Sequence, residues 1–198
     1  MLARKAYSCL EEFDATCSKE GQPKELGGLV VNEKWQAPSD GTYKANWDAA
    51  LNHQSGRIRI GIVIRDHEGK VKAAQCIVRK GSFEPGIAEA LAAVQTLIFC
   101  HDLGLTMINL EGDAKNVVTA LNSKEVNWGK GGYIIADAQV LLQNFLFCDI
   151  NYISHERNQA AHNLAKLAAR LGFERQWREE CPDCISEIIR VEQIALFH

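Results

Sequence analysis

The chain has 198 residues, 46% hydrophobic and 24% charged, which excludes a disordered chain and sets the size at one domain with some extra at the ends. Its formal net charge of −3 lacks the Lys/Arg excess of a general nucleic-acid binder, although a cluster of catalytic carboxylates would lower the total and bound cations would reverse the sign locally. No stretch approaches the roughly 20 apolar residues of a membrane span, and the N-terminus MLARKAYSCLEEFDATC lacks the apolar run of a signal peptide. A soluble intracellular protein with no membrane partner is expected, with neither nucleus nor cytoplasm singled out. The seven cysteines are odd in number, and several sit in apolar runs, as expected of reduced thiols acting as small core residues.

Residues 1–34 have weak periodicity. A short helix over Arg4–Cys17 is followed by SKEGQPKELGG, rich in Gly, Pro and charge, which reads as a linker from Ser18 to Gly28. From Trp35 the character changes. Thr42–Leu51 alternates, with Tyr43, Ala45, Trp47 and Ala49 on one side and Lys44, Asn46 and Asp48 on the other, as in a strand. Arg57–Arg65 is rich in Ile and Val, the sequence Asp66-His67-Glu68-Gly69 reads as a turn, and Lys70–Val78 returns as a third strand of an antiparallel meander. Ile87–Cys100 is rich in Ala and Leu with apolar residues three and four apart, which predicts a helix ending near Gly104. A strand over Thr106–Glu111, a short helix over Ala114–Leu121 started by Asp113, and a helix over Tyr133–Phe147 after the glycines of Gly129–Gly132 come next. Asp149–Ser154 predicts a fifth strand and Gln159–Leu171 a final amphipathic helix. The order implies an α/β fold, a mixed sheet flanked by helices, whose ligand sites gather near the carboxyl ends of the parallel strands.

Three carboxylates stand out. Asp48 lies inside an otherwise apolar strand, where Asp is depleted; Glu89 lies near the start of the Ala-rich helix; Asp113 lies just past the fourth strand. If the fourth strand runs parallel beside the first, Asp48 and Asp113 meet, and the first helix can bring Glu89 to the same point. Such a cluster suits Mg²⁺, a hard cation held by a few carboxylates and substrate phosphate oxygens, and a pair of ions about 4 Å apart supports phosphodiester cleavage. Taken singly, Glu89 reads as a solvated helix residue and Asp113 as a helix cap.

The segments WQAPSDGTYKANWDAAL, GIVIRDHEGKVKAA, IAEALAAVQTL, LEGDAKNVVTAL and ISHERNQAAHNLAKLA, in that order from about Trp35 to Phe173, resemble the plant ribonuclease H-like domain associated with non-LTR retroelement reverse transcriptases. The resemblance implies a ribonuclease H-like fold with a five-stranded mixed sheet over residues 35–175, an N-terminal extension over 1–34 and a C-terminal extension over 176–198. It also implies Mg²⁺- or Mn²⁺-dependent hydrolysis of the RNA strand of an RNA–DNA hybrid. Asp48, Glu89 and Asp113 match its metal-binding carboxylates. His162 stands where catalytic members carry a fourth carboxylate, and imidazole favours borderline metals over Mg²⁺; Asp48-Ala49-Ala50 replaces the usual Asp-Gly-Ser. A domain that binds nucleic acid or a protein partner without cutting, and a nuclease of the same fold with another substrate, are the alternatives. Lys124, Lys130 and Arg157 are weak candidates for phosphate contact and Trp128 for stacking; each reads more simply as a surface or packing residue. His155 reads as a surface loop histidine, with assistance to proton transfer or product release as the alternative. Cys181-Pro182-Asp183-Cys184 has the spacing of half a zinc site, but no second pair follows.

Overall fold

The computed structural model describes residues 35–52, 56–81, 84–123 and 131–196. The expected N-terminal helix and linker, Lys124, Trp128 and Lys130 lie outside them.

Strands β1 (Tyr43–Asn52), β2 (Arg57–Arg65) and β3 (Val71–Lys80) form the antiparallel meander. Asp66 closes the β2–β3 turn: its Oδ1 accepts from the backbone N–H of Glu68 at 3.0 Å and of Lys70 at 2.9 Å, and Gly69 takes the left-handed conformation, φ 73°, that such a turn requires. Helix α1 (Pro85–Asp102) begins with a proline in its first turn, where the missing N–H costs nothing. Strand β4 (Met107–Gly112) follows, then helices α2 (Lys115–Asn122) and α3 (Gly132–Leu142) and strand β5 (Phe147–Tyr152). A 3-10 turn (His155–Asn158) leads into α4 (Gln159–Leu171); β6 (Arg175–Arg178) and α5 (Asp183–Leu196) complete the described chain.

The sheet order is β5-β4-β1-β2-β3-β6, with β1, β4 and β5 mutually parallel and the other pairs antiparallel. One face carries Ala45, Trp47, Ile60, Ile62, Ile108 and Leu110 against α1, α2 and α3. The other packs Val63, Ala74, Cys76 and Trp177 against Ala161, Leu164 and Ala168 of α4 and Ile185 and Ile189 of α5. β2 is buried on both faces, hence its nearly unbroken apolar run. Among the described residues no helix is long and apolar enough to cross a membrane.

The sheet has six strands rather than the expected five, and the residues expected as a C-terminal extension supply the rest of β6 and all of α5. β6 is four residues long and buries only Trp177, too little for a periodic signal; pairing with β3 sets its place. α3 stops at Leu142, not Phe147, and β5 starts at Phe147, not Asp149. An apolar run such as Leu141–Phe147 suits helix and strand alike, and here the N–H groups of Leu146 and Phe147 both donate to the Thr106 carbonyl, which starts the ladder beside β4.

A buried polar network lies on the α5 side of the sheet. Lys44 pairs with Glu111 at 2.7 Å and donates to the Gln36 carbonyl at 2.7 Å. Asn46 donates to Glu111 at 3.0 Å and accepts from Arg65 at 2.9 Å. Arg65, 1% exposed, also pairs with Glu192 of α5 and stacks 3.6 Å from the Trp35 ring centroid.

Among the cysteines, burial pushes the Cys76 and Cys148 thiols up to about 12, and the Cys181 and Cys184 thiols are also raised, by burial first. All stay protonated near neutral pH, as inert apolar side chains do.

Candidate metal centre

Asp48 sits on central strand β1, 5% exposed, in register with Gly61 of β2. β4 lies parallel beside β1, with Trp47 opposite Gly112, so Asp113, the next residue, emerges at the same end of the sheet. Only glycine fits at 112, because a Cβ there would lie 2.3 Å from the Trp47 ring. Glu89 comes from the start of α1, and its Oε1 accepts from the Ala49 backbone N–H at 3.3 Å. Asp48, Glu89 and Asp113 each place a carboxylate oxygen within 4.8 Å of the others, the one grouping of this kind among the described residues.

The fourth expected residue arrives on α4. A Cβ at Gly61 would lie 2.1 Å from the Ala161 carbonyl oxygen and 2.4 Å from the Ala165 nitrogen, so α4 rests directly on the β2 backbone beside Asp48. His162 is thereby held with Nδ1 3.0 Å from Asp48 Oδ2. It reaches the cluster through this carboxylate and does not belong to the 4.8 Å grouping.

His155, which reads from sequence as a loop residue, places Nδ1 2.8 Å from Asp113 Oδ2. The two imidazoles meet edge to face, centroids 4.5 Å apart. Their seven-residue spacing, near two helical turns, was the available signal, but it applies only once residues 155–158 are wound as a turn continuous with α4. Asn158, also passed over, donates from Nδ2 to the Trp47 carbonyl at 2.7 Å. Arg157 lies half-buried in the same turn.

The electrostatics are those of like charges out of water. Burial, reinforced by Asp48 and Asp113, pushes the Glu89 carboxyl up to about 8, against the opposing Ala49 N–H and Trp47 indole. Burial also raises Asp48; its bond from His162 opposes the rise and Asp113 adds to it. Glu89 Oε2 is buried with no hydrogen-bond partner among the described residues. A cation among the three carboxylates would answer both the repulsion and the unpartnered oxygen, and an all-oxygen set of this kind suits a hard divalent ion.

Several solved structures share the fold. RNase H1 from the halophilic archaeon Halobacterium salinarum superposes with a TM-score of 0.60 at 24% identity, over 65% of this chain and 98% of that one. The N-terminal RNase H domain of a Mycobacterium tuberculosis protein gives 0.56 at 18%, over 66% and 98%. LC11-RNase H1, isolated from compost and solved in complex with an RNA/DNA hybrid, gives 0.59 at 16%, over 66% and 98%. No curated protein matches the chain in sequence. The family model described as reverse transcriptase-like matches residues 46–168, a stretch that includes all three carboxylates and both histidines. The chain thus belongs to the reverse transcriptase-like family and carries a domain with the ribonuclease H-like fold.

Proposed function

We propose that this domain is a divalent-metal-dependent endonuclease that hydrolyses the RNA strand of RNA–DNA hybrids, with Asp48, Glu89 and Asp113 as the metal-holding residues and His162 at the fourth position. The observation that carries the reading is the convergence of three carboxylates within 4.8 Å, with Glu89 Oε2 buried and unpartnered among the described residues, in a ribonuclease H-like fold. When bound there, Mg²⁺ or Mn²⁺ supplies the positive charge that makes water a competent nucleophile toward the scissile phosphate and stabilises the leaving oxygen.

The chain's own groups prepare that chemistry. With a cation bound, Glu89 would lose its proton to solvent and hold the ion as a carboxylate. His162 holds one oxygen of Asp48 and His155 one oxygen of Asp113, which orients both carboxylates. An RNA strand is told from DNA by its 2′-hydroxyls, and cleavage leaves a 3′-hydroxyl and a 5′-phosphate. The hybrid seen with LC11-RNase H1 supports the same substrate class here. The five ordered motifs support placing the domain with plant non-LTR retroelement reverse transcriptases.

The second reading, a domain that binds nucleic acid without cutting, is favoured by one observation: an imidazole, which carries no negative charge when neutral, stands in the fourth position. Cleavage of a labelled RNA–DNA hybrid, assayed with Mg²⁺ and Mn²⁺ separately beside duplex DNA and duplex RNA, separates the readings. Metal-dependent cutting confined to the RNA of the hybrid is the expected result. Hybrid binding without cutting in either metal selects the second reading, and cutting of another duplex changes the substrate class.

A further inference from the structure

Asn158 occupies the N-cap position of α4, where an asparagine ordinarily turns its side-chain oxygen back onto the first N–H groups of its own helix. Here it makes no such bond. The side chain, 1% exposed, points the other way, and Nδ2 donates to the Trp47 carbonyl at 2.7 Å, while Oδ1 has no partner among the described residues. A carbonyl at that distance accepts only from N–H, so the orientation of the amide is fixed by its partner. Trp47 directly precedes Asp48 and forms the last pair of the β1–β4 ladder.

The segment that Asn158 anchors carries both histidines. His155 is three residues before it and bonds Asp113; His162 is four residues after it and bonds Asp48. Gln159 closes the turn by donating from Nε2 to the His155 carbonyl at 3.0 Å. Three contacts therefore fasten the start of α4 across the ends of β1 and β4. Two involve the carboxylates; the third, Asn158 to the β1 backbone, does not depend on their charge.

We propose that Asn158 is a positioning residue: its amide gives up the capping role to tether the His155–His162 segment to β1, and so sets both imidazoles against Asp48 and Asp113. This rests on the nuclease reading only for its consequence in catalysis; the tether itself stands on the geometry.

The test uses Asn158→Asp and Asn158→Ser in the full chain. Both replacements are good helix caps, so a capping role predicts little change in either. Neither preserves the tether: aspartate sets an oxygen against the Trp47 carbonyl, and serine is too short. The expected result is a kcat for hybrid cleavage at least about tenfold lower in both variants, with KM for the hybrid nearly unchanged. In the metal-free proteins, the ring ¹H–¹⁵N signals of His155 and His162 should move toward those of exposed histidines. Comparing both variants separates the tether from the charge that Asp adds. Retained kcat with unchanged ring signals would overturn the proposal, as would a fall in kcat without movement of the ring signals. If the wild-type protein cuts no hybrid, the nuclease reading fails, and the ring signals alone decide whether Asn158 positions the histidines.

Discussion

β1 and β4 each feed two buried charged clusters, and the clusters are built on opposite principles. At Lys44, Asn46 and Glu111 each charge meets its opposite or a hydrogen bond, and Arg65 with Glu192 extends the balance to α5. Two residues further along the chain from Asn46 and Glu111 stand Asp48 and Asp113, joined by Glu89, three carboxylates within 4.8 Å of one another, with His162 bonded to Asp48 and His155 to Asp113. The first cluster balances its charges within the protein, although Arg65 Nε is buried without a partner among the described residues. The second gathers three carboxylates, whose mutual repulsion the proposed divalent ions would balance. Within one pair of strands, charge balance separates the part that holds the fold from the part expected to react.

The contrast can be broken most sharply at Glu111. Glu111→Gln leaves Lys44 buried without a carboxylate and should cost about 3–5 kcal/mol, while Lys44→Met with Glu111→Gln should recover most of that loss. Urea unfolding of the three proteins measures it; a single variant as stable as wild type would show that the pair is not a structural ion pair. At Asp48 the pattern should invert. Asp48→Asn should lower hybrid cleavage by more than about 100-fold and leave the unfolding midpoint of the metal-free protein unchanged or higher, because it relieves like-charge repulsion. Destabilisation as large as that of Glu111→Gln would erase the distinction.

A pH titration sharpens it further. Glu89 titrates near 8 in the folded, metal-free protein and near its ordinary value of 4.5 when unfolded. The folded state then binds more protons across that window, so its contribution to stability falls as pH rises from about 4.5 to 8. Glu89→Gln should flatten this dependence, as should saturating Mg²⁺ in the wild type; parallel stability–pH curves for wild type and variant would rule out the shift. The smallest effect is expected at His162. His162→Asp supplies a fourth negative charge and should lower the Mg²⁺ needed for half-maximal cleavage about tenfold, with less change in Mn²⁺, which tolerates nitrogen better. Superimposable Mg²⁺ curves would remove His162 from the metal site.

Much of this was legible in the residues because local pattern and tertiary role agree. Strand alternation around Asp48, the Ala-rich run around Glu89 and the strand end before Asp113 are short-range signals; the parallel pairing of β1 with β4, only a condition in the sequence, is supplied by the fold. What stayed hidden depends on contacts distant in sequence. Gly61 lies unremarked within the Ile- and Val-rich second strand, and only the packed α4 shows that it admits the helix bearing His162. His155 looks like a loop residue until the 3-10 turn points it at Asp113. Asn158 matches a helix cap so well that its actual partner, 111 residues away, leaves no trace in the local pattern. Arg65 is marked in the sequence only as the last residue of the second strand, and it packs against Trp35 and Glu192, the latter on a helix 127 residues on.

The sheet's two outer strands differ in how they discourage other chains from joining. An unpaired edge invites intermolecular strand addition, and short length or a charge blunts it. β6 is four residues long with Arg at each end. β5 is longer and holds Phe147, Ile150 and Tyr152 within Phe-Cys-Asp-Ile-Asn-Tyr, with Phe147 and Tyr152 about half exposed. Its one charge is Asp149, exposed and bonded by Asn151 at 2.8 Å. That carboxylate has no place in the metal centre. Its consequence is for solubility: a charge within a six-residue, β-prone edge segment opposes templated aggregation.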